Sequence, residues 1–164
     1  MLISYLLGSI PFAFIFVKFT VKKDIRYEGT GNIGAMNSYD VTGKKWIGFS
    51  VTICDSLKGI LAVLLAMIIA GDYPISYTFA AFFVVLGHNY NIFLKFKGGR
   101  GLATALGCFL LLNLFFPVIW GLLWLLAFYL IKKNVHIANS FATFIMPLFV
   151  FIIPYSFLKN FTFF

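Results

Sequence analysis

Asp24-Ile-Arg-Tyr-Glu-Gly-Thr-Gly-Asn-Ile-Gly-Ala-Met-Asn37 is a polar, glycine-rich stretch in a chain of 164 residues that is 62% hydrophobic. Gly29, Gly31 and Gly34 are interleaved with Thr30 and Asn32, and Asn37 follows. Glycine lets the backbone approach a ligand closely and turn its N–H groups toward an anion. Glycine and asparagine are also ordinary turn residues. On spacing alone, a phosphate cradle and a plain surface loop fit equally well. No Gly-Lys-Ser/Thr follows the stretch and no strand can precede it, so neither nucleotide-binding fingerprint applies.

The rest of the chain says where such a loop would sit. With 22 Phe and only 11% charged residues, it carries too much apolar surface for a soluble domain. Several apolar runs approach the ~20 residues needed to cross a ~30 Å hydrocarbon core. The expected fold class is all-α, a polytopic membrane helix bundle forming one domain over residues 1–164. Met1–Thr20 lacks a basic start and a small-residue cleavage site, so it reads as a retained first span. Gly8-Ser9-Ile10-Pro11 interrupts it, which predicts a kink or a helix that restarts at Pro11. Residues 21–45 read as a long polar loop. Trp46–Ala70 and Ile75–Leu94 read as the next spans, with a turn at Gly71–Pro74. Residues 95–101 form a second polar loop. Leu102–Ile131 is too long for one comfortable helix and is expected to split near Asn113 and Pro117. Residues 132–139 read as a third polar loop, and Ser140–Leu158 as a last span interrupted by Pro147 and Pro154.

The basic residues give the orientation. Eleven of the 13 Lys and Arg flank or lie in the three polar loops. The positive-inside rule then puts those loops in the cytoplasm and yields about six spans, with both termini outside. The net charge of +8 therefore reports orientation and attraction to anionic lipid rather than nucleic acid. Cys54 and Cys108 fall in apolar segments without metal-ligand neighbours, so neither a disulfide nor a metal site is expected. No cofactor motif is present.

Lys97-Gly98-Gly99-Arg100-Gly101 is a basic glycine turn that opens an apolar helix. A helix N-terminus attracts anions, and Arg100 can fork onto phosphate oxygens. A basic cluster touching lipid headgroups is the plainer reading. Asp55 and Lys58 are one helical turn apart inside an expected span, where charges are costly and are paired or functional. His88 follows Gly87 near the inner end of the third expected span and has no Asp four or five residues on. His136 lies in the third loop as an ordinary loop residue.

Taken together, these residues resemble one family. Gly8-Ser-Ile-Pro11, Asp24-Ile-Arg26, Gly29-Thr-Gly-Asn-Ile-Gly-Ala-Met-Asn37 and Gly43-Lys-Lys45 look like the first signature of the bacterial PlsY-type acyl-phosphate:glycerol-3-phosphate acyltransferases. Asp55-Ser-Leu-Lys-Gly59, Gly87-His88 and Phe96-Lys-Gly-Gly-Arg-Gly-Leu-Ala-Thr-Ala-Leu-Gly107 resemble its later signatures, in the same order. The resemblance implies a bacterial inner-membrane enzyme of phospholipid synthesis that works with acyl phosphate, glycerol 3-phosphate and membrane lipid. The product would be lysophosphatidic acid. It implies catalytic roles for Thr30, Asn37 and His88. Substrate binding would fall to Gly29, Gly31, Asn32, Gly34, Lys97, Gly98, Gly99, Arg100, Gly101 and Asn139. A homo-oligomer is left open.

The chain departs from the pattern at several points. Thr30 stands where a serine is usual, Asp40 where an arginine is usual, Arg100 where a lysine is usual and Asn139 where a serine is common. A shortened chain is expected, because the family's C-terminal His/Asn motif has no counterpart in residues 1–164. Asp40 would favour a non-catalytic or altered-substrate relative that binds a phosphorylated lipid or partner. A small anion carrier is disfavoured by basic loops confined to one face.

Overall fold

In the computed structural model, residues 1–131 and 134–162 are described. Among them the chain is helical, with one isolated antiparallel bridge between Asn113 and Thr162. Packing divides it into two compact units, Met1–Cys108 and Phe109–Phe164, where the sequence reads as one domain.

The first unit begins with a broken span. Helix α1 is Leu2–Gly8 and α2 is Phe12–Val21. They separate at Ser9–Pro11, because a proline ring denies the helix its hydrogen bond and displaces the preceding turn. The following segment, read as loop from residue 21 to 45, holds a short helix, α3, Ala35–Thr42. Its polar run Asn37-Ser38-Tyr39-Asp40 hides it from hydrophobic periodicity. Ser38 nonetheless returns its hydroxyl to the Gly34 carbonyl at 2.9 Å. Gly48 leaves room for the Ala35 backbone, so α3 packs directly on α4, Lys45–Ala70.

Helix α5 runs Pro74–Asn89 and a 3₁₀ turn follows at Ile92–Leu94. The sequence expects one continuous span to Leu94, but the chain turns at Tyr90–Asn91, and the Asn91 side chain caps the Phe93 amide at 3.0 Å. Helices α1 and α5 touch at backbone level. A side chain at Gly8 would collide with the Val84 carbonyl, and one at Gly87 with the Tyr5 carbonyl. Small residues are what allow helices in lipid to approach this closely. Helix α6, Leu102–Leu112, leaves the second glycine turn. The buried core of the unit includes Ala13, Val17, Ile25, Ile33, Ile47, Val51 and Leu94. It therefore joins α2, the first glycine loop, α4 and the 3₁₀ turn that leads into the second glycine loop.

In the second unit, α7 is Phe115–Leu130 and α8 is Val135–Ile152. The α6/α7 break falls at Asn113–Leu114, where Asn113 caps the Phe115 amide at 2.9 Å. The loop expected over residues 132–139 is shorter than that. Asn134 accepts from the amides of His136 and Ile137 and starts α8 early, so Ala138 and Asn139 are helical. Lys132 and Lys133 lie outside the described residues. Pro147 sits inside α8 without ending it, whereas the interruption expected at Pro154 is found at Ile153–Pro154, before α9, Tyr155–Leu158.

Two stretches among the described residues are long and apolar enough to cross a bilayer, Leu2–Val21 and Lys45–Ala70. At ~1.5 Å per residue, the 26 residues of α4 reach ~39 Å, whereas α5 with 16 and α6 with 11 reach ~24 and ~17 Å.

Candidate active site

The first glycine loop is built from its own side chains. Asp24 accepts from the Arg26 amide at 3.0 Å and pairs with its guanidinium, the shortest contact being 2.6 Å. The Arg26 hydrogen bond holds the Asp24 carboxyl below its usual range, and Asp24 in turn raises Arg26. Gly29 and Gly31 adopt left-handed φ of +58° and +70°, a region that other residues enter only with strain. Asn37 closes the loop from within. Its Oδ1 accepts from the Thr30 amide at 2.9 Å, and its Nδ2 donates to the carbonyls of Glu28 and Asn32 at 3.1 and 3.0 Å. With 1% of its surface exposed, Asn37 spends its polar atoms on the shape of the loop.

Thr30 and Gly29 lie at the exposed crest, and Asn32 is half-buried beside them. The Thr30 hydroxyl receives the Asn32 amide at 3.4 Å. Gly34 is the N-cap of α3 and has no side chain to cap it. The first turn of α3 thus follows a glycine loop with no side-chain cap on its amides. Such a terminus is suited to an anion.

The second glycine loop lies against the first. The Ile33 amide donates to the Gly98 carbonyl at 3.3 Å. The Lys97 ammonium sits 5.4 Å from the centre of the Tyr27 ring, and the Arg26 guanidinium 5.6 Å from it. Tyr27 therefore stands between cations of both loops, a role the sequence reading did not assign to it. The turn before Lys97 is tight, with Lys95 and Phe96 at positive φ. Gly101 is buried at φ +76°, and Arg100 is exposed at the crest.

His88 forms the floor under the second loop. Its carbonyl accepts the Gly99 amide at 3.1 Å. A side chain at Gly99 would collide with His88 Nε2 and press on the Ile33 carbonyl, so only glycine fits there. On the other edge of the ring, His88 Nδ1 lies 2.9 Å from Lys58 Nζ. Lys58, 4% exposed, also reaches Asp55 Oδ1 at 2.8 Å and the Ile10 carbonyl at 3.2 Å. Asn91 donates to the neighbouring Ser9 carbonyl at 2.6 Å. The Ser9 and Ile10 carbonyls beside Pro11 thus each receive a side-chain donor, the Ile10 carbonyl in addition to the Phe12 amide at 3.2 Å. A cavity of about 10 Å³ remains between Pro11, Ile33, Asp55, Lys58, His88 and Asn91.

The sequence flagged Asp55 with Lys58, and His88, as separate features; the structure makes them one cluster. It missed the Ile10 carbonyl and Asn91, for which the Pro11 break was the available signal. Asn139 belongs to the second unit, where its amide oxygen accepts the Trp124 indole N–H at 2.7 Å. A second indole bond, Trp120 to Thr143 at 3.2 Å, lies one turn along the same α7–α8 seam.

Comparison with known proteins gives a consistent likeness. The family model for glycerol-3-phosphate acyltransferase matches residues 1–164. A glycerol-3-phosphate acyltransferase of Pelagibacter ubique is 40% identical over 147 residues, covering 90% of this chain and 74% of that protein. One from Bacillus cereus is 43% identical over 140 residues, covering 85% and 67%. Among solved structures, the crystal structure of PlsY, an integral membrane glycerol 3-phosphate acyltransferase, superimposes with a TM-score of 0.80 at 38% identity. That glycerol 3-phosphate form covers 96% of this chain and 78% of that one. The lysophosphatidic acid form gives a TM-score of 0.76 at the same identity.

Proposed function

The chain belongs to the glycerol-3-phosphate acyltransferase family of integral membrane enzymes, and from that premise we propose the full reaction. A fatty acyl group passes from acyl phosphate to the 1-hydroxyl of glycerol 3-phosphate, giving lysophosphatidic acid and inorganic phosphate. The carrying observation is the contact between the two glycine loops, the Ile33–Gly98 hydrogen bond reinforced by Lys97 over Tyr27. Both substrates bear phosphate, and this arrangement sets two donor-rich loops side by side.

In this reading the Thr30 hydroxyl and the first-turn amides of α3 hold one phosphate, since the Thr30, Gly31, Asn32 and Ile33 amides are spent within the fold. Lys97, Arg100 and the amides of Gly98 and Gly101 hold the other. The hydroxyl oxygen attacks the acyl carbonyl carbon and forms the ester bond. The bond from that carbon to the phosphate oxygen breaks, and phosphate leaves with the electron pair. The hydroxyl proton passes to a substrate phosphate oxygen, so no strong protein base is required. Amides and cations that oppose the developing oxyanion are the main source of rate. The acyl tail lies against apolar helix faces. In this reading the site faces the cytoplasm at a bacterial inner membrane, which the positive-inside rule favours for its basic loops.

The test is purified protein with palmitoyl phosphate and glycerol 3-phosphate, following phosphate and lysophosphatidic acid. Matched release of both is expected. Folded protein that releases neither above a protein-free control refutes the proposal.

A further inference from the structure

Lys58 is a buried ammonium that the acyl transfer described above does not use. An ammonium has donors only. Three acceptors surround it: Asp55 Oδ1 at 2.8 Å, His88 Nδ1 at 2.9 Å and the Ile10 carbonyl at 3.2 Å. The Phe12 ring lies 5.8 Å away on a further side. His88 Nδ1 also faces Asp55 Oδ1, but at 3.6 Å against 2.9 Å to Lys58 Nζ; an ammonium offers no lone pair, so the shorter contact assigns Nδ1 as the acceptor, without a proton. The ring proton then sits on Nε2, the edge turned to Gly99. Gly99 has no space to retreat, because the His88 ring edge and the Ile33 carbonyl both press on the position a Cβ would take. The chain of contact is continuous: Asp55 holds Lys58, Lys58 orients His88, and His88 seats the loop that carries Lys97 and Arg100.

We propose that Lys58 and Asp55 are positioning residues for acyl transfer, fixing His88 as its Nε2–H tautomer so that its ring edge and carbonyl set the backbone of Lys97–Gly101. This rests on reading that loop as the holder of one substrate phosphate. Lys58 does not touch substrate; it acts through His88. Its loss is expected in the affinity for the substrate whose phosphate that loop holds, and much less in the affinity for the other.

Two measurements on the full chain in lipid nanodiscs test this. The first is nitrogen NMR of ¹⁵N-histidine protein, with His136→Gln used only to assign the two rings. His88 is expected as a neutral Nε2–H imidazole in the parent. In Lys58→Met the fixed tautomer gives way to a mixture. The second is initial rates against each substrate. Lys58→Met is expected to raise one KM by about tenfold and to leave the other KM and kcat within about threefold. A parent His88 protonated on Nδ1 overturns the proposal. So does a folded Lys58→Met enzyme with both KM values unchanged, or with both raised equally. If Lys58→Met does not fold, His88→Gln and His88→Asn decide instead. Gln places a donor where Nε2 stands and is expected to keep the KM, while Asn reaches only toward Lys58 and raises it. The reverse order overturns the proposal. A parent with the expected tautomer but no acyl transfer refutes the reaction proposed above and leaves the tautomer assignment standing.

Discussion

Replacing Asn37 by alanine removes the internal brace of the first glycine loop. Three hydrogen bonds are lost at once, from Thr30 and to Glu28 and Asn32, at 2.9, 3.1 and 3.0 Å. At about 1 kcal/mol net for each, the loop loses roughly 3 kcal/mol of local ordering. Since about 1.4 kcal/mol is a factor of ten, the properly formed loop becomes rarer by about a hundredfold, and kcat/KM falls with it. Asn37→Asp falls further, because a carboxylate oxygen would then face the Glu28 and Asn32 carbonyls, and a negative charge would enter the phosphate cradle. The assay is phosphate release with varied substrates, paired with amide hydrogen exchange over residues 28–37. Faster exchange and lower kcat/KM are expected to move together. Retained protection with lost activity refutes the bracing role and makes Asn37 a group that acts on substrate. Retained protection with kcat/KM within about threefold of the parent refutes its importance altogether.

Three further outcomes follow from the same geometry. Gly29→Ala drives a Cβ into the Asn37 amide at φ +58° and should abolish activity. Gly43→Ala at φ +67° meets nothing within 4 Å and should cost only about 1 kcal/mol of stability; thermal melts and rates of the two variants check this. Asp24 has its carboxyl lowered by Arg26 from a usual 3.8, so the pair's contribution is complete above that value and is lost as pH falls through the depressed one. Asp24→Asn should lower loop protection at pH 6 and flatten its decline in acid, read by hydrogen exchange of residues 24–28. Asp40 is exposed on α3, three residues beyond Asn37, and Asp40→Arg replaces repulsion of a phosphate by attraction. A gain of about tenfold in kcat/KM is expected, roughly the effect of 1.4 kcal/mol. A loss would mean that Asp40 itself serves this enzyme's substrate.

The features legible in the sequence were those written in local chemistry. Pro11 announced the α1/α2 break, and Asn113 with Pro117 announced the α6/α7 break. The i,i+3 spacing of Asp55 and Lys58 announced their pairing, found at 2.8 Å. Helix α3 was not legible, because Asn37, Ser38 and Asp40 are weak helix formers that tertiary contacts with Gly34 and Gly48 override. The early start of α8 was missed because Asn134 was read as a loop residue rather than as a cap. Candidate site residues could be nominated from the two glycine stretches, but their division of labour could not. Asn37 offers the same side chain whether it meets a substrate or three backbone groups of its own loop. His88 meets Lys58 from 30 positions away, and the Ile10 carbonyl meets Lys58 from 48; sequence spacing carries no trace of either.

The capped break at Ser9–Pro11 also bears on biosynthesis. The N-terminal segment leaves the ribosome first, yet the side-chain donors to its Ile10 and Ser9 carbonyls come 48 and 82 residues later, as Lys58 and Asn91. Until Asn91 arrives, the Ser9 carbonyl lacks the donor it has in the folded chain, which is costly in hydrocarbon. The earliest-made piece of the protein therefore completes its hydrogen bonding only once α5 and the turn after it have been made. Nascent chains halted before Asn91 should keep their amino-terminal segment within crosslinking reach of the insertion machinery and should release it once that residue has emerged.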